Sequence, residues 1–127
     1  MTIEHIAVYT TDLERECAFF EKYFGAKRGA FYHNEQTGFR SCFLTFDGGA
    51  RLEVITRAEC VNLPRKRFAA GFAHIALSAG SREEVVSLTE RLRLDGFEIA
   101  GEPRVTGDGY FESIVLDYEG NFIEITV

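Results

Sequence analysis

A chain of 127 residues, 46% hydrophobic and 27% charged, is one domain's worth of ordinary globular protein, long enough to bury a real core. Its net charge of −6 excludes a broad basic field for nucleic acid, and the one basic cluster, Pro64-Arg65-Lys66-Arg67, falls in a connector and reads as a solvated loop. No apolar run nears the ~20 residues of a membrane span, and no signal-peptide pattern opens the chain.

The three cysteines, Cys17, Cys42 and Cys60, are odd in number and form no paired motif, which predicts reduced structural thiols in a cytoplasmic protein. The first element is a strand over residues 3–9, apolar apart from Glu4 and His5. Leu13, Cys17, Phe20 and Phe24 then recur at helical spacing behind a Thr11-x-x-Glu14 capping box, and Gly25 fits the left-handed position that ends such a helix. Strands are predicted over 27–33, 38–46 and 50–56, the last two joined by the tight turn Asp47-Gly48-Gly49.

Residues 57–70 show little periodicity, and then the cycle repeats. A strand over 72–78 leads through Ser81-x-x-Glu84 into a helix from Arg82 to Leu94, with Val85, Leu88, Leu92 and Val86 inward and Asp95-Gly96 as the stop. Strands follow near 97–101, 111–117 and 122–126, with a mobile loop over 102–110 marked by Pro103, Gly107 and Gly109. Both halves are β-α-β-β-β. His5 and His74 lie 69 residues apart, and the helix-ending glycines Gly25 and Gly96 lie 71 apart. A period of that length means duplication of a whole module. The expectation is a single α+β domain over 1–127, with a first module to about residue 57, a connector over 58–70 and a second module from about 71.

Four residues stand out against this frame. Glu53 in Leu52-Glu53-Val54 and Glu124 in Ile123-Glu124-Ile125 are lone carboxylates in apolar strands, and they also lie 71 apart. Strand alternation turns Ile6, Val8, Leu52 and Val54 toward the first helix, which leaves His5 and Glu53 on the opposite face. In the second module Ile75, Leu77, Ile123 and Ile125 do the same, leaving His74 and Glu124. Ionised carboxylates are rarely enclosed without partners, so two imidazoles and two carboxylates converging in a closed site want a cation. That donor set suits a divalent transition metal such as Zn, Ni, Co, Mn or Fe.

Paired modules with an early His and a late Glu in each make the chain similar to the vicinal oxygen chelate superfamily. That group holds glyoxalase I, methylmalonyl-CoA epimerase, fosfomycin-resistance enzymes, extradiol dioxygenases and bleomycin-resistance proteins. The resemblance spans essentially the whole chain. It is carried by Phe19-Phe20-Glu21-Lys22-Tyr23-Phe24-Gly25, by Phe72-Ala73-His74-Ile75-Ala76-Leu77, and most specifically by the ending Leu116-Asp117-Tyr118-Glu119-Gly120-Asn121-Phe122-Ile123-Glu124-Ile125. Tyr118 stands where the family commonly has proline. The resemblance implies a curved mixed sheet cupping a metal, a small-molecule substrate and a homodimer. It also implies the full glyoxalase I ligand set at His5, Glu53, His74 and Glu124, with Glu124 as the base that moves a proton beside a chelated oxygen and Glu53 as the alternative.

The substrate markers depart from that pattern. Tyr9 occupies the place of an arginine that contacts glutathione in bacterial glyoxalase I, and Arg57 that of an expected asparagine. Both speak against glutathione as the thiol. Arg40, Arg57 and Arg104 read first as solvent-facing. Competing functions within the resemblance are a transferase or ring-opening dioxygenase, which needs only His5, His74 and Glu124, and a metal-free binder of the bleomycin-resistance type. The complete quartet favours the glyoxalase-like lyase or isomerase. His33, ahead of Asn34, reads as a surface residue.

Overall fold

The duplication in the sequence is a duplication of structure. The computed structural model describes residues 1–64 and 66–127. Arg65, and with it part of the basic cluster, lies outside the described residues. The chain divides into two compact units, Met1–Leu63 and Pro64–Val127, with the boundary inside the predicted connector.

The first unit runs β1 (His5–Tyr9), α1 (Leu13–Phe24), β2 (Lys27–Asn34), β3 (Phe39–Thr45) and β4 (Arg51–Thr56). The second runs β5 (Ile75–Ser78), α2 (Arg82–Leu94), β6 (Ile99–Val105), β7 (Phe111–Leu116) and β8 (Phe122–Thr126). Each unit holds one four-stranded mixed sheet, ordered β1-β4-β3-β2 and β5-β8-β7-β6. In both sheets the first strand runs parallel to the last and the remaining pairs are antiparallel. The parallel pair needs a long crossover, and the helix with its following strands supplies it. This is the predicted α+β architecture of tandem β-α-β-β-β modules.

Each helix covers one face of its sheet. The amphipathic stripe of α1 buries Leu13, Cys17, Phe19 and Phe20, and the sheet beneath it buries Leu44, Leu52 and Val54. In the second unit Val85 and Leu92 are buried on α2, with Val115, Ile123 and Ile125 on the sheet. Thr89 is buried with them because its hydroxyl is satisfied, lying 2.6 Å from the Val85 carbonyl and 2.6 Å from Ser113 Oγ. It takes the inward place that apolar periodicity gave to Val86, which is exposed.

Other boundaries shift for local reasons. Asp12, not Thr11, caps α1 and accepts from the Arg15 amide, whereas Ser81 caps α2 as predicted. Gly25 takes the left-handed conformation, with φ at 65°. Strand β5 begins at Ile75, so His74 precedes it instead of sitting within it. Residues 102–105, expected in a loop, belong to β6. Pro103 is tolerated there because β6 is an edge strand whose register already shifts between Gly101 and Arg104. Cys17, Cys42 and Cys60 are all free thiols. Among the described residues no helix is long and apolar enough to cross a membrane.

Candidate metal centre

The same register places one histidine beside one glutamate in each unit. In the first, Ala7 of β1 lies opposite Glu53 of β4. His5, two residues before Ala7, therefore shares the face of Glu53, while Leu52 and Val54 point into the core. His5 Nε2 lies 3.9 Å from Glu53 Oε2, and the glutamate side chain is only 15% exposed. In the second unit Ala76 lies opposite Glu124, and His74 again stands two residues ahead. His74 Nε2 lies 3.4 Å from Glu124 Oε2, with the glutamate side chain 13% exposed.

The donors suit a divalent cation in kind, and one of the two pairs also suits it in separation. Metal bonds to imidazole nitrogen and carboxylate oxygen of roughly 2.0–2.2 Å set neighbouring ligand atoms about 3.0–3.5 Å apart, depending on coordination geometry. The 3.4 Å pair meets that spacing, and the 3.9 Å pair lies a few tenths of an ångström outside it. Among the described residues no three His, Cys, Asp or Glu side chains gather in metal-holding geometry. The four residues singled out in the sequence stand as two His–Glu pairs, each formed within its own unit.

Each pair has an arginine and a further glutamate beside it, and sequence reasoning assigned neither glutamate to the site. In the first unit the Glu4 carboxylate bridges His5 Nδ1 and Arg51 Nη2. The hydrogen bond from His5 chiefly holds the Glu4 carboxyl below its ordinary range. The Arg51 guanidinium lies 4.1 Å over the Phe43 ring, which in turn meets the His5 ring edge-on at 5.4 Å. In the second unit Glu112 of β7 shares the Glu124 face, since Glu112 pairs with Thr126 and Ile114 with Glu124. Arg104 Nη2 donates to Glu112 Oε1 at 3.2 Å. Gly101 leaves room for that arginine, because a Cβ there would lie 3.0 Å from Nη1.

Burial pushes the Glu124 carboxyl up from its ordinary value. His74 opposes that shift, and the neighbouring Glu112 adds to it. Strand alternation could have found Glu112, which stands in step with Ile114 on β7. Reading 102–110 as a loop hid its partner Arg104. Of the other arginines, Arg57 pairs with Glu59 at 3.5 Å and Arg40 is exposed on β3 opposite His33.

Comparison with known proteins assigns a family to this architecture of tandem β-α-β-β-β units. The chain belongs to the Glyoxalase/Bleomycin resistance protein/Dioxygenase superfamily, whose family model matches residues 2–125. No curated protein sequence matches it. Among solved structures, a glyoxylase/bleomycin resistance protein/dioxygenase domain from Frankia sp. EAN1pec is 15% identical with a TM-score of 0.83, covering 100% of this chain and 97% of that one. Glyoxalase I from Zea mays is 20% identical with a TM-score of 0.79, covering 98% of this chain but 44% of its own. The trypanothione-dependent glyoxalase I of Leishmania major is 19% identical with a TM-score of 0.80, covering 99% and 86%.

Proposed function

We propose that this protein is a divalent-metal-dependent lyase or isomerase of glyoxalase I type that moves a proton between adjacent carbons of a small oxygenated substrate. The observation that carries the reading is the repeated His–Glu pair, His5 with Glu53 and His74 with Glu124, at the same register in both units. The ligands in this reading are His5 and Glu53 in the first unit and His74 and Glu124 in the second. A bound divalent cation supplies Lewis-acid polarisation of vicinal substrate oxygens, which acidifies the neighbouring C–H.

Glu124 is the base. Burial pushes its carboxyl up from its ordinary value, with His74 opposing the shift and Glu112 adding to it. Glu124 accepts the proton from one carbon and delivers it to the next. Leu52, Val54, Ile123 and Ile125 fix the strands beneath both carboxylates, so each glutamate projects from a packed sheet.

The thiol of the substrate need not be glutathione. Tyr9 and Arg57 stand where glutathione markers are expected, and the Leishmania major neighbour is a glyoxalase I dependent on another thiol. The reading includes a homodimer in the cytoplasm. Its test is turnover of a panel of hemithioacetals made from methylglyoxal and different thiols, with Ni, Zn, Co or Mn supplied in turn. Metal-dependent turnover of at least one, lost in Glu124→Gln, is expected. Turnover that persists undiminished in Glu124→Gln would remove the assignment of the base.

A further inference from the structure

The first unit contains a closed ring of contacts around one proposed ligand. Glu4 precedes β1, and its carbonyl accepts from the Arg51 amide at 3.1 Å. Its carboxylate accepts from the Arg51 guanidinium on one oxygen and faces His5 Nδ1 with the other. Arg51 stacks on Phe43, and Phe43 closes the ring against the His5 imidazole. An ionised carboxylate only accepts hydrogen bonds, so the contact to Glu4 requires the proton of a neutral His5 ring to sit on Nδ1. That leaves Nε2, the atom facing Glu53, with its lone pair free.

The geometry points to Glu4, held by Arg51, as a positioning residue that fixes the tautomer and ring orientation of His5 so that Nε2 is presented beside Glu53. Resting on the reading of His5 as a metal ligand, this adds a carboxylate as the hydrogen-bond partner that ligating imidazoles commonly have on their second nitrogen. The two units differ here. Ala73 stands before His74 where Glu4 stands before His5, so the second histidine has no neighbouring carboxylate of this kind in sequence. The second unit places its extra Glu–Arg pair beside the glutamate instead, through Glu112 and Arg104. One ligand in each half is therefore held: the imidazole in the first and the carboxylate in the second.

The test separates the ring lock from the metal. Nitrogen NMR of the metal-free full chain, at a pH well above the imidazole range, distinguishes Nδ1–H from Nε2–H. Wild type is expected to show His5 as Nδ1–H. Glu4→Ala should return it to the mixture of a free imidazole, which favours Nε2–H, while Glu4→Gln, whose amide oxygen still accepts, should restore Nδ1–H. Glu4 is 61% exposed in its side chain, so these variants should fold. Cobalt titration of the same three proteins should show affinity about 10- to 100-fold weaker in Glu4→Ala and recovered in Glu4→Gln. Identical His5 tautomers in wild type and Glu4→Ala would overturn the inference, as would unchanged cobalt affinity despite a changed tautomer. Wild type that takes up no metal would instead remove the function proposed above, while the nitrogen shifts still decide whether Glu4 sets the ring.

Discussion

Arg104→Ala is expected to cost the fold about 2 kcal/mol, and about half of that loss should vanish when Glu112 is also changed to Gln. The contact is a single one at 3.2 Å, between a glutamate side chain 11% exposed and an arginine side chain 45% exposed. At an effective dielectric of about 20, charges at that distance attract by roughly 5 kcal/mol. Dehydration of Glu112 and the half-exposed guanidinium offset most of this, leaving about 1–2 kcal/mol net. Removing Arg104 alone strands a buried carboxylate beside Glu124, so the loss exceeds the net value of the pair. Glu112→Gln alone removes a like charge next to Glu124 and should be nearly neutral. The assay is urea unfolding of wild type, both single variants and the double variant, followed by circular dichroism. A coupling of about 1 kcal/mol is expected. Costs that simply add would refute a cohesive Arg104–Glu112 pair and with it the account of how Glu124 is flanked.

Three further outcomes follow from particular contacts. Burial pushes the Cys17 thiol up to about 12 and raises Cys42 as well, whereas Cys60 is only partly enclosed. A disulfide reagent at pH 8 should therefore modify one thiol quickly and the other two only on unfolding. The folded state retains the Cys17 proton that the unfolded state releases, so its contribution to stability is full below about 9 and lost as pH rises toward about 12. Loss of stability over that window should be smaller in Cys17→Ala when both proteins are unfolded by urea. Thr89→Val leaves the buried Ser113 hydroxyl without its 2.6 Å partner and should cost about 1–2 kcal/mol, with Thr89→Val/Ser113→Ala costing less than the two changes summed. Gly25→Ala forces a side chain into a backbone at φ 65° and should lower stability by about 1 kcal/mol, read from the thermal midpoint.

Much of this architecture is legible in the chain because strand alternation and helical spacing are local. Leu52 and Val54 flank Glu53, and Ile123 and Ile125 flank Glu124, so the burial of the neighbours fixes the facing of each carboxylate without knowledge of the sheet. Pairing across strands is not local, and that is where the sequence fell silent. Glu4 sits next to His5, and alternation alone turns their side chains apart; only its place ahead of the strand, tied to Arg51, lets it reach back to the ring. Arg104 was hidden by Pro103, which reads as a break in sequence but is tolerated on an edge strand such as β6. Thr89 escaped the inward stripe because a hydroxyl counts as polar until its partner on the neighbouring strand, Ser113, is known.

The most direct test of the central claim is the metal content of the purified full chain, prepared without chelator or affinity-tag metal and compared with His5→Ala/His74→Ala. About one divalent ion per chain in wild type, lost in the double variant while the fold persists, is the result this account predicts. A wild type that stays metal-free after exposure to Ni, Zn, Co and Mn, or a double variant that keeps its full complement, would contradict it.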